Sequence, residues 1–382
     1  MKLVIGGDLV PTKDNQEFFI NEEIVNNLDK KIKNVWFKAD YRLFNLECVL
    51  GDKNTLNPIS KNGPNLIAPI DTINGIKELK PELILLANNH IMDYGNNGLE
   101  STINILNRNN IKYTGIIDNI EKTLPFSIFE KNDIKVGIYN LCENEFSVAT
   151  KENKGANGWN SVKVLNEIKR LKENVDFVIV IFHGGKEFYR YPSPKQQYIS
   201  HLIIDYGADL LIYQHTHCIG CEETYNNKKI VYGQGNFIFH GGKDEFWNSA
   251  LIVEVEIDKK NIQISYHQIE MNENLINYSD DKSILREFYK RSERIKDKRI
   301  IESEYNSYSL KFLNNYLYNL HGMKFFDKLL HKVGFKNYFK NKYSLKSLLA
   351  IENIIECEAH RELLLNGIRE KQKMDKRFKD RK

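Results

Sequence analysis

No uninterrupted apolar run in the chain approaches the ~18 residues that a membrane-spanning helix requires, so no transmembrane segment is expected. The opening stretch holds one lysine and then only Leu3, Val4 and Ile5 before the glycines, too little for the apolar core of an export signal. Cysteine is scarce. Cys48, Cys142, Cys218, Cys221 and Cys357 form an odd, scattered set. Without an export signal such a set fits reduced thiols, and the expected location is cytoplasmic. Cys218-Ile219-Gly220-Cys221 matches C-x-x-C. No second cysteine pair exists to complete a four-cysteine zinc site, and no thioredoxin-like context surrounds it. Internal repeats and low-complexity tracts are also missing.

What is present is a chain of 382 residues, 41% hydrophobic, 28% charged and 11% aromatic, enough for a substantial core. The net charge of +4 hides an asymmetry. Residues 1–280 carry 30 Lys and Arg against 37 Asp and Glu, whereas residues 281–382 carry 25 against 14. An acidic body argues against a protein built throughout for nucleic acid, and no nucleic-acid partner is expected.

Through residue 240 short β-rich runs alternate with helical stretches. Strands are expected at 2–6, 42–46, 83–87, 126–130, 134–141, 175–182, 209–213, and around 228–239, 248–257 and 261–268. Helices are expected at 71–79, 97–109, 161–173 (with Ser161 as cap) and 194–206. Near-continuous apolar strands alternating with helices indicate an α/β domain with covered sheets. Beyond about residue 275 the character changes. Residues 281–382 contain no proline, and helical periodicity runs through 283–294, 302–319, 324–333 and 344–371. Two parts are therefore expected: a domain over 1–275 and a basic helical C-terminal region over 281–382.

Polar residues collect where the strands end. The sets are Gly7-Asp8; Asn45-Leu46-Glu47; Asn88-Asn89-His90 with Asp93; His183-Gly184-Gly185; and His215-Thr216-His217. Taken singly, each residue reads as a turn former, a cap or a satisfied histidine. Their joint occurrence at five strand exits is what points to a site, because ligands in α/β sheets bind beyond the carboxyl ends of the strands. Carboxylate and amide oxygens mixed with imidazoles suit Mn²⁺, Fe²⁺, Zn²⁺ or Mg²⁺, one ion or two.

These segments, in this order, resemble the bacterial capsule synthesis protein family of the poly-γ-glutamate type (CapA/PgsA), itself similar to calcineurin-like metallophosphoesterases. The resemblance extends through Gly115, Lys186-Glu187, Tyr206-Gly207-Ala208-Asp209 and Tyr232-Gly233-Gln234-Gly235-Asn236-Phe237, and covers about residues 1–257. It implies a four-layer αββα metallophosphatase-like sandwich with metal held at one edge. Carried over, Asp8 binds one metal and Glu47 bridges, where phosphoesterases use Asp. Asn89, His183 and His215 complete the second metal, and His217 returns to the first. His90 is similar to the histidine that protonates a leaving group or steadies the phosphoryl oxygen, and Asp93, a step later in the chain, is a second catalytic candidate. Asn45, Glu187, Arg190 and Asn236 are the expected substrate-binding residues, with Glu187 alternatively a further oxygen ligand and Arg190 a charge that could hold a phosphate or carboxylate. The chain departs from the phosphoesterase pattern at Asp8-Leu9-Val10, which replaces Asp-x-His. It departs from the usual Gly-His-His-x-His at Tyr213-Gln214-His215-Thr216-His217.

The expected function is a metal-dependent hydrolase, phosphoesterase-like, linked to polyglutamate or capsular polymer biosynthesis and acting on a small or polymeric anionic substrate. The rival is a non-catalytic binding or assembly component of the same synthesis. The tail has two readings. One is a helical cap or homodimer surface. The other is a peripheral contact with anionic lipid, through Phe325, Phe326, Leu329, Leu330, Phe335, Tyr338 and Phe339 interleaved with lysines.

Overall fold

Side-chain alternation along the first strand sets the layering. Leu3 and Ile5 enter one buried cluster, and Val4 enters another on the opposite face. Leu9 would share the face of Leu3 and Ile5 by parity. It joins Val4 instead, because the pairing register shifts between Ile5 and Leu9. The irregularity therefore brackets Asp8.

The computed structural model describes residues 1–118, 125–240, 246–272, 275–321 and 344–379. In chain order the first elements are β1 (Lys2–Val10), α1 (Gln16–Ile20), α2 (Lys30–Lys38), β2 (Tyr41–Leu46), β3 (Val49–Leu50) and β4 (Ile67–Ala68). Next come α3 (Ile73–Glu78), β5 (Leu83–Leu85), α4 (Gly95–Arg108), β6 (Tyr113–Thr114), β7 (Ile116–Ile117), β8 (Phe126–Lys131) and β9 (Ile134–Cys142). They are followed by β10 (Gly155–Ala156), α5 (Ser161–Lys172), β11 (Phe177–His183), α6 (Pro194–Asp205), β12 (Leu210–Gln214), β13 (Glu222–Tyr225) and β14 (Lys228–Val231). The last strands are β15 (Asn236–Phe239), β16 (Ser249–Ile257), β17 (Ile262–Asn272) and β18 (Leu275–Tyr278), and α7 (Lys282–Arg294) follows.

One mixed sheet runs β18-β17-β16-β1-β2-β5-β6, with β15 also paired to β1. The other runs β13-β14-β12-β11-β9-β8. They pack face to face through Leu3, Ile5, Leu43 and Leu85 from the first and Val136, Ile179, Ile181 and Ile212 from the second. Helices cover the outer faces. On the first sheet Trp36 of α2 lies 4.6 Å from the Phe237 ring, and its Nε1 donates to the Leu79 carbonyl at 2.8 Å. On the second, Leu171 of α5 fills the space over Gly137, and Ser200 of α6 bonds the Tyr213 hydroxyl at 3.0 Å. This is the four-layer αββα arrangement.

The chain divides into two units: residues 1–59 with 65–298, and residues 60–64 with 299–382. The division falls beyond the expected start of the tail, because α7 packs on the first unit. Phe288 meets the Tyr266 ring at 4.9 Å, and Arg291 Nε donates to the Gly220 carbonyl at 2.7 Å. In the second unit α8 (Lys298–His321), α9 (Leu345–Glu356) and α10 (Glu358–Lys379) are described, and α10 is tied to α8 by Asn366, which donates to Asn306 at 2.8 Å and to Ser309 at 3.1 Å, and by His360 Nδ1, 2.6 Å from the Tyr316 hydroxyl. The expected helix at 324–333 and the aromatic-lysine stretch from Phe325 to Lys342 lie outside the described residues. Among the described residues no helix is long and apolar enough to cross a membrane. The five cysteines are buried and outside any disulfide, Cys218 and Cys221 included.

Candidate metal centre

Strand register delivers the site. In the second sheet Cys142 of β9, His183 of β11 and Gln214 of β12 lie side by side, so Glu143, Gly184 and His215 follow side by side. In the first sheet Asp8 of β1 is opposite both Asn45 of β2 and Asn236 of β15. That closeness needs glycine at position 7, where a Cβ would lie 2.0 Å from the Gly235 carbonyl oxygen.

Four donor atoms converge. His183 Nε2 lies 3.1 Å from Glu47 Oε1, 3.0 Å from Asn89 Oδ1 and 3.1 Å from His215 Nδ1. Glu47, His183 and His215 form one group of metal-binding geometry, and Asp8, Glu47 and His217 form a second, with ligand atoms within 4.8 Å of one another in each. Glu47 belongs to both. It is fully buried, and neither of its oxygens accepts a hydrogen bond of good geometry. An ionised carboxylate held that way is costly unless a cation compensates it.

The electrostatics follow from this crowding. Burial pushes the Asp8 carboxyl up, but the bond and charge of His183, the His217 charge and donation from Asn45 hold it down at about 2. Burial pushes His183 down, and the carboxylates of Glu47 and Asp8 override it, to about 10. His217 rises for the same reason against the same burial. His215 stays well below the usual value, because burial and the neighbouring His183 charge both oppose protonation. A protonated His183 thus takes the place of a cation between Asp8 and Glu47 in the metal-free protein.

His215 and His217 sit at φ 83° and 52°. The strand ends at Gln214, and the two rings are aimed by left-handed backbone, at a cost of about 1–3 kcal/mol per residue.

Residues 2–241 match the family described as bacterial capsule synthesis protein PGA_cap. The chain belongs to that family. Capsule biosynthesis protein CapA of Bacillus anthracis is 30% identical over 222 residues, 56% of this chain and 54% of that protein. PGA biosynthesis protein CapA of Bacillus subtilis (strain 168) is 25% identical over 185 residues, 48% of this chain and 49% of that protein. The chain thus spans about half the length of these curated relatives. Among solved structures, a putative 5'-nucleotidase from Staphylococcus aureus in complex with alpha-ketoglutarate is similar at 12% identity and a TM-score of 0.45, covering 75% of this chain and 57% of that one.

The remaining capsule-family positions fall into two sets. Several surround the donors. Asn45 donates to Asp8 Oδ1 at 2.7 Å and accepts from Asn88 at 3.0 Å, and Asn236 Oδ1 lies 2.9 Å from His217 Nδ1. Both amides, read from sequence as substrate contacts, are thus engaged with the donor residues. Asp93 Oδ2 lies 2.7 Å from His90 Nδ1 and also accepts from the Leu66 amide at 2.6 Å. Glu187 is half-buried, and its charge acts on both His215 and His217. Arg190 is turned elsewhere, donating to the Ile219 carbonyl at 2.9 Å and lying over the Phe246 ring. Gln214, standing where the family pattern has histidine, donates to the Gly6 carbonyl at 2.9 Å and is outside both donor groups.

Sequence reading missed Glu143, whose Oε1 is 3.4 Å from His215 Nε2. Its signal was available: it is the residue after β9, a further strand exit. It also missed the aromatic packing around His217, whose ring stacks on Trp247 at 4.9 Å.

Proposed function

We propose that this chain is a metal-dependent hydrolase, a phosphoesterase, serving capsular polymer biosynthesis. One observation carries the reading: the buried Glu47 carboxylate is shared by two donor groups and has no hydrogen-bond donor of good geometry on either oxygen. The mixed oxygen and imidazole set suits Mn²⁺, Fe²⁺, Zn²⁺ or Mg²⁺. Glu47, Asn89, His183 and His215 would hold one ion, and Asp8, Glu47 and His217 another. Bound there, such ions supply Lewis-acid polarisation of a phosphoryl oxygen and activation of water.

The chain's own residues do the rest. Asp93 accepts from the Nδ1 side of His90, so that the ring protonated on both nitrogens would be oriented to pass its Nε2 proton to the leaving-group oxygen. Asn88 accepts from the His90 amide at 3.0 Å and donates to Asn45, so the base of His90 and the seat of Asp8 belong to one amide chain. Near-complete burial of the donors keeps bulk water from screening them.

The test is metal analysis of the purified protein, with Mn²⁺-dependent turnover of p-nitrophenyl phosphate and bis(p-nitrophenyl) phosphate. His90→Ala should keep its metal and lose about 10²–10⁴-fold in kcat. Absence of uptake and of turnover with any divalent ion sinks the proposal.

A second reading has an observation in its favour. Val10 stands where phosphoesterases carry a metal-binding histidine, and it is buried in the apolar cluster under the helices. A centre with fewer ligands suits a component that binds an anionic polymer without cleaving it. Relatives named as probable polyglutamine synthesis accessory proteins of Mycobacterium tuberculosis are in keeping with it. Metal uptake with polymer binding and no turnover would select it.

A further inference from the structure

We propose that Glu143 is a positioning residue: it sets the tautomer and orientation of His215 and shapes the turn that carries His183. The proposal rests on the metal-centre reading, since its purpose is to present His215 Nδ1 to an ion.

Glu143 touches both histidine segments. Its backbone N–H donates to the His183 carbonyl at 3.0 Å. Its Oε2 accepts from the Gly185 amide at 3.4 Å, and its Oε1 faces His215 Nε2 at the same 3.4 Å. The His183-Gly184-Gly185 turn is built around it. A Cβ at Gly184 would come 3.1 Å from Glu143 Cβ, and Gly185 adopts φ +107°. The Glu143 side chain is itself more than nine-tenths buried.

The consequence lies on the far side of the imidazole. His215 Nδ1 faces His183 Nε2 at 3.1 Å and Glu47 Oε1 at 4.0 Å. A neutral imidazole carries one N–H. A buried carboxylate at Nε2 draws that proton to Nε2, and the Nδ1 lone pair is left directed at the donor cluster. With no acceptor there, only the protonated His183 beside Nδ1 holds that tautomer, and its proton is the one an ion displaces, so the ring is then free to carry its own proton on Nδ1, where it opposes a cation.

Two measurements on the full chain test this. ¹⁵N NMR of the metal-free protein should show His215 with its proton on Nε2; a proton on Nδ1 overturns the proposal whatever the variants do. Calorimetric titration with Mn²⁺ should show Glu143→Met, which keeps the bulk but lacks an acceptor, weakened by about 10–100-fold. Glu143→Gln, which restores an acceptor oxygen, should recover most of that loss and keep the Nε2 proton. Wild-type affinity in a folded Glu143→Met overturns the role, as does lost affinity that Glu143→Gln does not recover. If the wild-type chain takes up no Mn²⁺, the metal-centre reading fails, and the tautomer still decides on Glu143.

Discussion

Asp93 Oδ2 lies 2.7 Å from Nδ1 of His90, three residues earlier in the chain, and its side chain has no solvent exposure. The same oxygen accepts from the Leu66 amide, so the carboxylate is pinned from two directions. Replacing it by Asn keeps the shape but offers a neutral group to the imidazole. Asp93→Asn should therefore fold, bind metal as the wild type does, and lose about 10²-fold in kcat, less than His90→Ala at the upper end of its range. Steady-state kinetics beside a metal-content measurement decides. Unchanged kcat in Asp93→Asn removes the dyad from the chemistry.

Glu47 poses the opposite problem, a charge with too little support. In metal-free protein its charge faces a protonated His183 and a more distant His217. Glu47→Gln removes the unsupported charge and, with it, the shared donor. Melting in EDTA should show the variant at least as stable as the wild type. Saturating Mn²⁺, at about 1,000-fold over Kd, should stabilise the wild type by about 4 kcal/mol and the variant by far less. A full Mn²⁺-induced shift in Glu47→Gln would contradict a bridging role.

Metal uptake should move protons. In the metal-free protein His183 is held protonated up to about pH 10, and an ion at its Nε2 must displace that proton. Between pH 7 and the His183 value, binding should therefore release a proton, and affinity should climb by about tenfold per unit as pH rises. The sign is opposite for the fold itself. A raised histidine stabilises the metal-free protein fully below its unfolded value near 6.5, and that contribution fades as pH rises through about 10. Asp8, held at about 2, contributes above its unfolded value of 3.8 and loses that contribution as pH falls through about 2. Calorimetry in buffers of different ionisation enthalpy reads the proton release directly. Buffer-independent binding heats would show His183 already neutral.

The strands were readable because burial on both faces leaves nearly continuous apolar runs, as in Phe177–His183, where every residue is buried. The donors were readable because they end those runs. Helix α2 was not, since only Ile32 and Trp36 of its nine residues are buried and four of the nine are lysines. The aim of His215 and His217 was hidden for a different reason. Positive φ at a non-glycine residue is imposed by the turn that follows Gln214, and residue type carries no mark of it. Glu143 was passed over because a lone glutamate after a strand reads as a solvated charge until register places it against His183 and His215. The boundary near 280 followed composition, while Phe288 and Arg291 tie α7 to the sheets.

The two donor groups share Glu47 and each draws on both sheets, but only one of them contains Asp8, and one substitution should act on that one first. A methyl group at Gly7 would lie 2.0 Å from the Gly235 carbonyl oxygen, which is backbone and has no side-chain freedom with which to move aside. Gly7→Ala must push β1 away from β15, whose pairing sets Asp8 opposite Asn236. Asn236 in turn meets His217 Nδ1 at 2.9 Å, so the displacement falls on the Asp8, Glu47 and His217 group. The Asn89, His183 and His215 contacts stand on other strands and loops and should persist. The variant should lose about 1–3 kcal/mol of stability, as overpacked cores do. In Mn²⁺ titrations it should bind one ion near wild-type affinity and the other far more weakly, if the wild type binds two. Equal weakening of both would mean that the sheets move as one body and that the two groups are not separable by strand.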